Sequence, residues 1–218
     1  GQELDSAKLL ASAHLNLGVN LHSLGEIDES LHHSRQALAL YHRMCATPMI
    51  GLSRNNIALA LVENGELDAC QSEADEAARL SEMCGGMYYL GETYQTLARC
   101  ATKRHGVAEA RAWAQKAVDE GARRGGTIDE AIGRRVLGGV LSHLGDHEGA
   151  AQQLATAMAV LKDTDPGEYA RAKAESSRAH ARRGELEAAA EKREQARTML
   201  TTLGAAWDLI HLEDLAWI

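Results

Sequence analysis

The side chains best suited to gripping a partner are three arginines, Arg171, Arg178 and Arg182, spaced by seven and four residues. On a helix that spacing sets them on one face, where each planar guanidinium can fork onto a carboxylate through two hydrogen bonds. Such a row can equally lie over apolar surface or pair with acids of neighbouring helices. Other groupings offer less. Ser142, His143 and Asp146 would make a triad on paper, but Ser142 and His143 are consecutive and point about 100° apart on a helix.

The ten histidines include His22, His32, His33 and His42 near the start of the chain. No pair at i, i+4 on one helix face is completed by a Cys or a carboxylate, so no metal site is expected. Cys45, Cys70, Cys84 and Cys100 contain no C-x-x-C pair and read as small thiols buried in helix interfaces. There is no G-x-x-x-x-G-K-S/T phosphate loop, no G-x-G-x-x-G, no G-x-S-x-G nucleophile elbow and no H-E-x-x-H. The sequence therefore nominates no catalytic residue and no cofactor, and it reads as a binding module and not as an enzyme.

The elements that must position the arginines are helices. The composition is 45% hydrophobic, with no Phe and only two Pro, and is rich in Ala, Leu, Glu, Arg and Gln, which lose least on entering a helix. A net charge of -8 and a pI near 5.7 argue against general affinity for nucleic acid or anionic membrane. No apolar run reaches the roughly 18 residues needed to cross a bilayer, and the first residues do not open a signal peptide. A cytoplasmic, soluble chain is expected. The opening Gly1 and the ending Leu215-Ala216-Trp217-Ile218 are read as the edges of a piece of a longer protein.

Self-similarity organises the helices. Gly25, Gly65, His105-Gly106, Gly145 and Gly184 recur about every 40 residues, each with a small-residue helix pattern before it and an acidic, alanine-rich pattern after it. Glycine suits the residue that closes a helix in a left-handed backbone, and the acids that follow complement the positive end of the next helix dipole. Small residues stand where two helices must approach, in Leu17-Gly18, Ile57-Ala58, Leu97-Ala98 and Leu137-Gly138, and Ala37, Ala77, Ala117, Ala157 and Ala196 return at nearly the same period. The fifth copy departs, with Ser176-Ser177 and His180 in place of Leu-Gly and an apolar residue.

Caps divide the chain in the same way. Thr127-Ile128-Asp129-Glu130 reads as a capping box, Asp165-Pro166-Gly167-Glu168 as a cap followed by a first-turn Pro and an acid, and Thr47-Pro48 as a similar start. Helix pairs are expected at about 5–43, 48–83, 87–123, 128–162 and 166–202, with a terminal helix at about 205–218. One hairpin cannot bury its apolar stripe alone, so the units must stack as a single repeat domain over 1–218.

This two-helix pattern resembles the tetratricopeptide repeat (TPR) family, in the 40-residue form common in bacterial signalling and transcription regulators. The usual 34-residue repeat and its closing Pro are not reproduced. The resemblance implies an all-α, right-handed superhelical solenoid of about five antiparallel hairpins plus a terminal helix, its concave face lined by the first helix of each pair. It further implies a protein- or peptide-binding scaffold, or alternatively a sensor of a signal peptide or small metabolite. The contact residues it implies are Asn55, Gln95, Arg99, Lys103, Arg135, Arg171, Arg178 and Arg182, whose charge suggests an acidic partner and no direct nucleic-acid contact. The set with which chaperone adaptors grip a C-terminal carboxylate is absent, since Leu15 and Val19 stand in the first unit. Trp207 and Trp217 lie on a terminal segment apolar on more than one face, so the chain is expected to be a monomer or a homodimer joined through that helix.

Overall fold

Alanines and leucines recurring every three or four residues between the glycine marks give each segment one apolar stripe, and the chain is helical wherever that stripe runs. In the helix Leu67–Met83, for example, Cys70, Ala74, Ala77, Ala78 and Ser81 are the buried line. The structure is a computed structural model that describes residues 2–86 and 89–212, with side chains described from residue 5. Among the described residues there are eleven helices and no strands. They are α1 (Gln2–Leu24), α2 (Ile27–Arg43), α3 (Thr47–Glu63), α4 (Leu67–Met83), α5 (Leu90–Lys103), α6 (Val107–Arg123), α7 (Thr127–His143), α8 (His147–Thr164), α9 (Pro166–Arg182), α10 (Leu186–Leu203) and α11 (Ala206–Ile210). The helix pairs coincide with the expected ones to within a few residues, and α11 occupies the start of the expected terminal helix.

The chain divides into two compact units, residues 1–100 and 101–218. In the first, α1 packs on α2, α3 on α4, and α2 on α3. Its core joins Ala11, Leu15, Ala37, Tyr41, Ile50 and Leu80. In the second, α7 packs on α8, α9 on α10, and the successive pairs meet through α6 with α7 and α8 with α9. There Ala131, Ala157, Leu161 and Ala172 form one buried cluster, and Ala170, Ala174, Ala196, Leu200 and Leu212 another. Ala37, Ala77, Ala117, Ala157 and Ala196 are all at most 1% exposed, as their period requires.

The five hairpin turns share one hydrogen-bond pattern. After α1, the Gly25 amide donates to the His22 carbonyl at 3.0 Å and the Glu26 amide to the Leu21 carbonyl at 2.9 Å, the paired bonds of a Schellman close. The same two bonds recur after α3, α5, α7 and α9. Gly25, Gly65, Gly145 and Gly184 take φ of 87°, 77°, 84° and 79°, but in the third turn the left-handed residue is His105, at 60°, and not Gly106. In the fifth unit Ser177 Oγ of α9 donates to the Ala189 carbonyl of α10 at 2.8 Å, whereas in the first the bond runs the other way, from Ser30 Oγ of α2 to the Gly18 carbonyl of α1.

Of the three expected caps, one forms as read and two do not. Asp165 accepts from the Glu168 amide at 2.9 Å with Pro166 in the first turn, as read from the sequence. Thr127, however, already lies inside α7, whose N-cap is Gly126 with no side-chain bond, because the preceding turn closes one residue earlier than a capping box would need. Likewise Ala46, and not Thr47, precedes α3. The cap that was not foreseen is Asp146, which accepts from the Gly149 amide at 3.0 Å to start α8. Of the four cysteines only Cys70 and Cys100 are fully buried; Cys45 is exposed and Cys84 is intermediate. Against Cys100, the Cys70 thiol is held protonated far above its ordinary range, first by its hydrogen bond to Cys100 and then by burial.

Candidate functional site

Within each unit polar side chains join the first helices of neighbouring hairpins, α3 with α5 and α7 with α9, and most residues nominated by sequence fall on these two seams. In the first unit Asn55 of α3 is 2% exposed and its Oδ1 accepts from Thr96 Oγ1 of α5 at 3.4 Å. Arg99 of α5 is ion-paired with Glu63 of α3, whose side chain is 2% exposed. Gln95 is half-buried on α5.

The second unit holds the denser seam. Arg135 Nε of α7 donates to Glu168 Oε2 of α9 at 2.7 Å, and Arg171 Nη1 donates to Oε1 of the same carboxylate at 2.6 Å. Arg171 then forks onto Asp208 of α11, with Nε to Oδ1 and Nη2 to Oδ2 both at 3.0 Å. Burial alone would raise the Glu168 carboxyl, but the Arg135 and Arg171 guanidiniums outweigh it and hold the group below its ordinary value. Burial works against the charge of Arg171 too, yet Glu168 and Asp208 raise its affinity for the proton.

Two turns further along α9, Arg178 is the largest fully buried side chain among the described residues, 1% exposed, with Nη1 at 3.0 Å from Glu175 Oε1 and Nη2 donating to the His211 carbonyl at 3.1 Å. Its guanidinium thus ties α9 to the residue after α11 and presents nothing outward. Arg182 Nη1 donates to Ser142 Oγ of α7 at 3.0 Å, so the hydroxyl of the triad drawn on paper holds an arginine. Lys103 is half-buried in the last turn of α5. The structure therefore brings Arg135, Arg171 and Arg178 onto one seam, places Arg182 at its end, and keeps Asn55 with Arg99 on the other.

Exposure sorts the seam chemically. The Arg171 side chain is 38% exposed, that of Arg135 14%, and that of Arg178 1%. Arg135, Arg171 and Arg178 meet the carboxylates Glu168, Glu175 and Asp208 along this seam, and Arg182 meets the Ser142 hydroxyl. Trp207 is half-buried on α11, against His211 with ring centroids 4.3 Å apart; Trp217 lies outside the described residues. Sequence reading allowed for acids of neighbouring helices against the arginines but did not name Glu168, Glu175 or Asp208, and it did not anticipate a cleft of about 260 Å³ lined by His105 and His143. The one signal for that cleft was a histidine standing where other repeats carry the turn glycine. Among the described residues no group of three metal-ligating side chains converges, and no helix is long and apolar enough to cross a membrane.

Consecutive antiparallel helix pairs closed by one repeated turn define a helical-repeat protein. A tetratricopeptide repeat family model matches residues 10–45, most of the first hairpin, and the helix-pair fold is TPR-like. Among solved structures the chain is similar to nearly identical TPR-like repeats from Podosopora anserina, at 17% identity and a TM-score of 0.63 over 91% of this chain and 97% of that one. It is similar to BtubC (BKLC) from P. vanneervenii at 15% identity and 0.63, over 93% and 91%. It is also similar to a Rap protein complexed with Competence and Sporulation Factor, at 13% identity and 0.76, where it covers 95% of this chain but spans only 57% of that protein. No curated protein matches the chain in sequence.

Proposed function

We propose that the chain is a protein- or peptide-binding repeat module, the regulatory repeat region of a larger bacterial signalling or transcription protein, and that it recognises an acidic partner. The observation that carries this reading is the arginine seam of α7 and α9, where Arg171 keeps more than a third of its side chain in solvent while its neighbours fix its position. A guanidinium held in place by Glu168 and Asp208 loses little rotamer freedom when a partner carboxylate approaches, which makes it a better contact than a mobile lysine. Arg135 and Arg182 extend the same edge. Gln95, with Asn55 and Arg99 behind it, and Lys103 are the proposed contacts on α3 and α5. Trp207, with Trp217, is the proposed place of self-association.

Effector sensing is the second reading. It is supported by the fold likeness to a Rap protein that was solved with Competence and Sporulation Factor. In that case a small effector or signal peptide would alter the packing of the hairpins and pass the change to an attached domain.

Fluorescence polarisation with matched acidic, neutral and basic peptides tests the first reading. The expected result is selective binding of acidic peptides that weakens with salt, and an Arg171→Glu variant, still helical, that binds about tenfold more weakly. Equal binding of all three peptides, or an unaffected variant, would remove the acidic-partner reading. A rise in melting temperature with one compound from a metabolite panel, and with no peptide, would favour the sensor instead.

A further inference from the structure

Helix α1 carries a leucine every seventh residue, Leu10, Leu17 and Leu24, and all three stand in solvent, at 51%, 42% and 55% exposure. Seven residues are close to two helical turns, so the three lie in one row, about 120° around the helix from the buried line of Ala11, Leu15 and Gly18. Ala13, exposed, and Leu21, half-buried, stand three and four residues on from Leu10 and Leu17 and fill the row as a heptad seam would. Residues 9–25 contain no Asp, Glu, Lys or Arg, the longest such stretch in a chain of which 25% is charged.

The later repeats show what kind of surface this is. Forty residues on from Leu10 and Leu17 are Ile50 and Ile57 of α3, both buried, and α2 packs on α3. Leu137 of α7, another forty-residue counterpart of Leu17, is buried as well, where α6 packs on α7. Leu10 and Leu17 are thus helix-packing positions that α1 leaves in solvent. Leu24 is of a different kind. Its place is polar in the second and third units, Asn64 and Arg104, and only the fourth repeats a leucine, Leu144. The third leucine carries the row to the last residue of α1, a helix of 23 residues where the other ten have 18 or fewer. The occupant that uses the whole row is a straight helix laid along it.

Two properties of the row fit that helix to be α1 of a second copy. The row is symmetric about Leu17, so an antiparallel pair with a two-fold axis there sets Leu17 on the partner's Leu17 and Leu10 on the partner's Leu24, with the helix dipoles opposed. The second property is charge. At a net charge of -8 two copies repel wherever their acids meet, and the uncharged stretch 9–25 is helix surface on which they can meet without that cost.

We propose that two copies of this chain pair antiparallel through α1, with Leu17 at the two-fold axis and Leu10 of each copy against the partner's Leu24. This contact is independent of the acidic-partner reading and lies on a different helix from Trp207. One helix pair is small beside a standard interface of about 1,600 Å², so association falls in the micromolar range.

Sedimentation of the whole chain from about 5 to 200 µM reads the state directly. The mass should rise from 23.5 kDa toward twice that value. Leu17→Glu sets two carboxylates face to face at the axis and should weaken pairing at least about tenfold, with the melting temperature at low concentration unchanged because the site is exposed. Leu10→Lys and Leu24→Glu should each weaken pairing alone, and the double variant should recover it, since antiparallel helices set each lysine against the partner's glutamate while parallel helices would set like against like. Trp207→Ala should leave pairing as it is. A mass of 23.5 kDa throughout, a dimer that Leu17→Glu leaves intact, or a dimer lost in Trp207→Ala overturns the proposal. A double variant that stays monomeric overturns the antiparallel arrangement.

Discussion

Arg171 and Asp208 stand 37 residues apart in sequence and meet as a fork, two guanidinium nitrogens on two carboxylate oxygens at 3.0 Å. This contact docks the five-residue helix α11 against α9, where Asp208 is 6% exposed. A helix of that length has no stability of its own in water, so its order depends on what holds it.

Replacing Asp208 by Ala should therefore release α11 without unfolding α9. Arg171 retains Glu168, so the loss is smaller than for a charge left wholly unpaired, about 2 kcal/mol. Amide hydrogen exchange is the direct measure. Residues 206–212 should exchange quickly in the variant while α9 keeps its protection, and unchanged protection of α11 would show that apolar packing by Leu209 and Leu212 is sufficient.

Arg178 and Glu175 make a different kind of pair, both almost completely buried, with Glu175 Oε2 lacking a hydrogen-bond partner among the described residues. Removing the arginine alone, as Arg178→Met, leaves a buried carboxylate without its counter-charge and should cost about 3–5 kcal/mol. Combining it with Glu175→Leu removes both desolvated charges and should restore most of that loss. Urea denaturation of the two single variants and the double variant measures the coupling, and a double variant as unstable as Arg178→Met would mean that the bond to the His211 carbonyl carries the contribution.

The hairpins were legible in the sequence because their signals are local. Gly25, Gly65, Gly145 and Gly184 each end a helix through bonds that span only five residues, and the alanine period marks the buried stripe directly. The arginines were legible as a row but not as a seam, since Glu168 is 33 residues from Arg135 and Asp208 is 37 from Arg171. Which of two arginines on one face is exposed depends on the next hairpin, and helical spacing carries no information about that. Arg171 and Arg178 differ seven residues apart for this reason. His105 shows the opposite limit: its neighbour Gly106 satisfied the expected pattern in text, while the backbone placed the left-handed conformation one residue earlier.

Acid should weaken the fold in two stages. His14 and His33 meet through their Nδ1 atoms at 2.8 Å, and burial, then His14 and His32, lower the proton affinity of His33 despite the nearby Glu29. A histidine whose folded value is depressed binds fewer protons folded than unfolded, so stability falls as pH drops below its ordinary 6.5. Glu168, also depressed, adds stability that is present above its ordinary 4.5 and is lost as pH falls through its lower folded value. Urea midpoints measured across this range should decline in both windows, with His33→Asn reducing the decline in the upper one, which His143 shares, and Glu168→Gln reducing it in the lower. A constant midpoint from about pH 7 to 5.5 would show that the His14–His33 contact contributes nothing.

Gly133 and Gly138 lie on the same helix, α7, and should respond differently to alanine. A β-carbon at Gly133 would come within 2.8 Å of the Val118 nitrogen and 2.9 Å of the Ala117 carbonyl carbon, both main-chain atoms of α6. One at Gly138 would instead meet the side chain of Leu154, at 2.6 Å from Cγ, with the Ala150 carbonyl at 3.3 Å. A side chain can turn or shift by a few tenths of an ångström, whereas a helix backbone moves only as a whole. Alanine also gains about 1 kcal/mol over glycine in a helix interior, which offsets part of either clash. Gly138→Ala should therefore change stability by about 1 kcal/mol or less, and Gly133→Ala should lose about 2–3 kcal/mol by forcing α6 and α7 apart. Denaturation followed by circular dichroism measures both. Equal losses would mean that Leu154 is packed too tightly to yield, and a Gly133→Ala variant as stable as the parent would show that α6 and α7 do not cross at backbone contact.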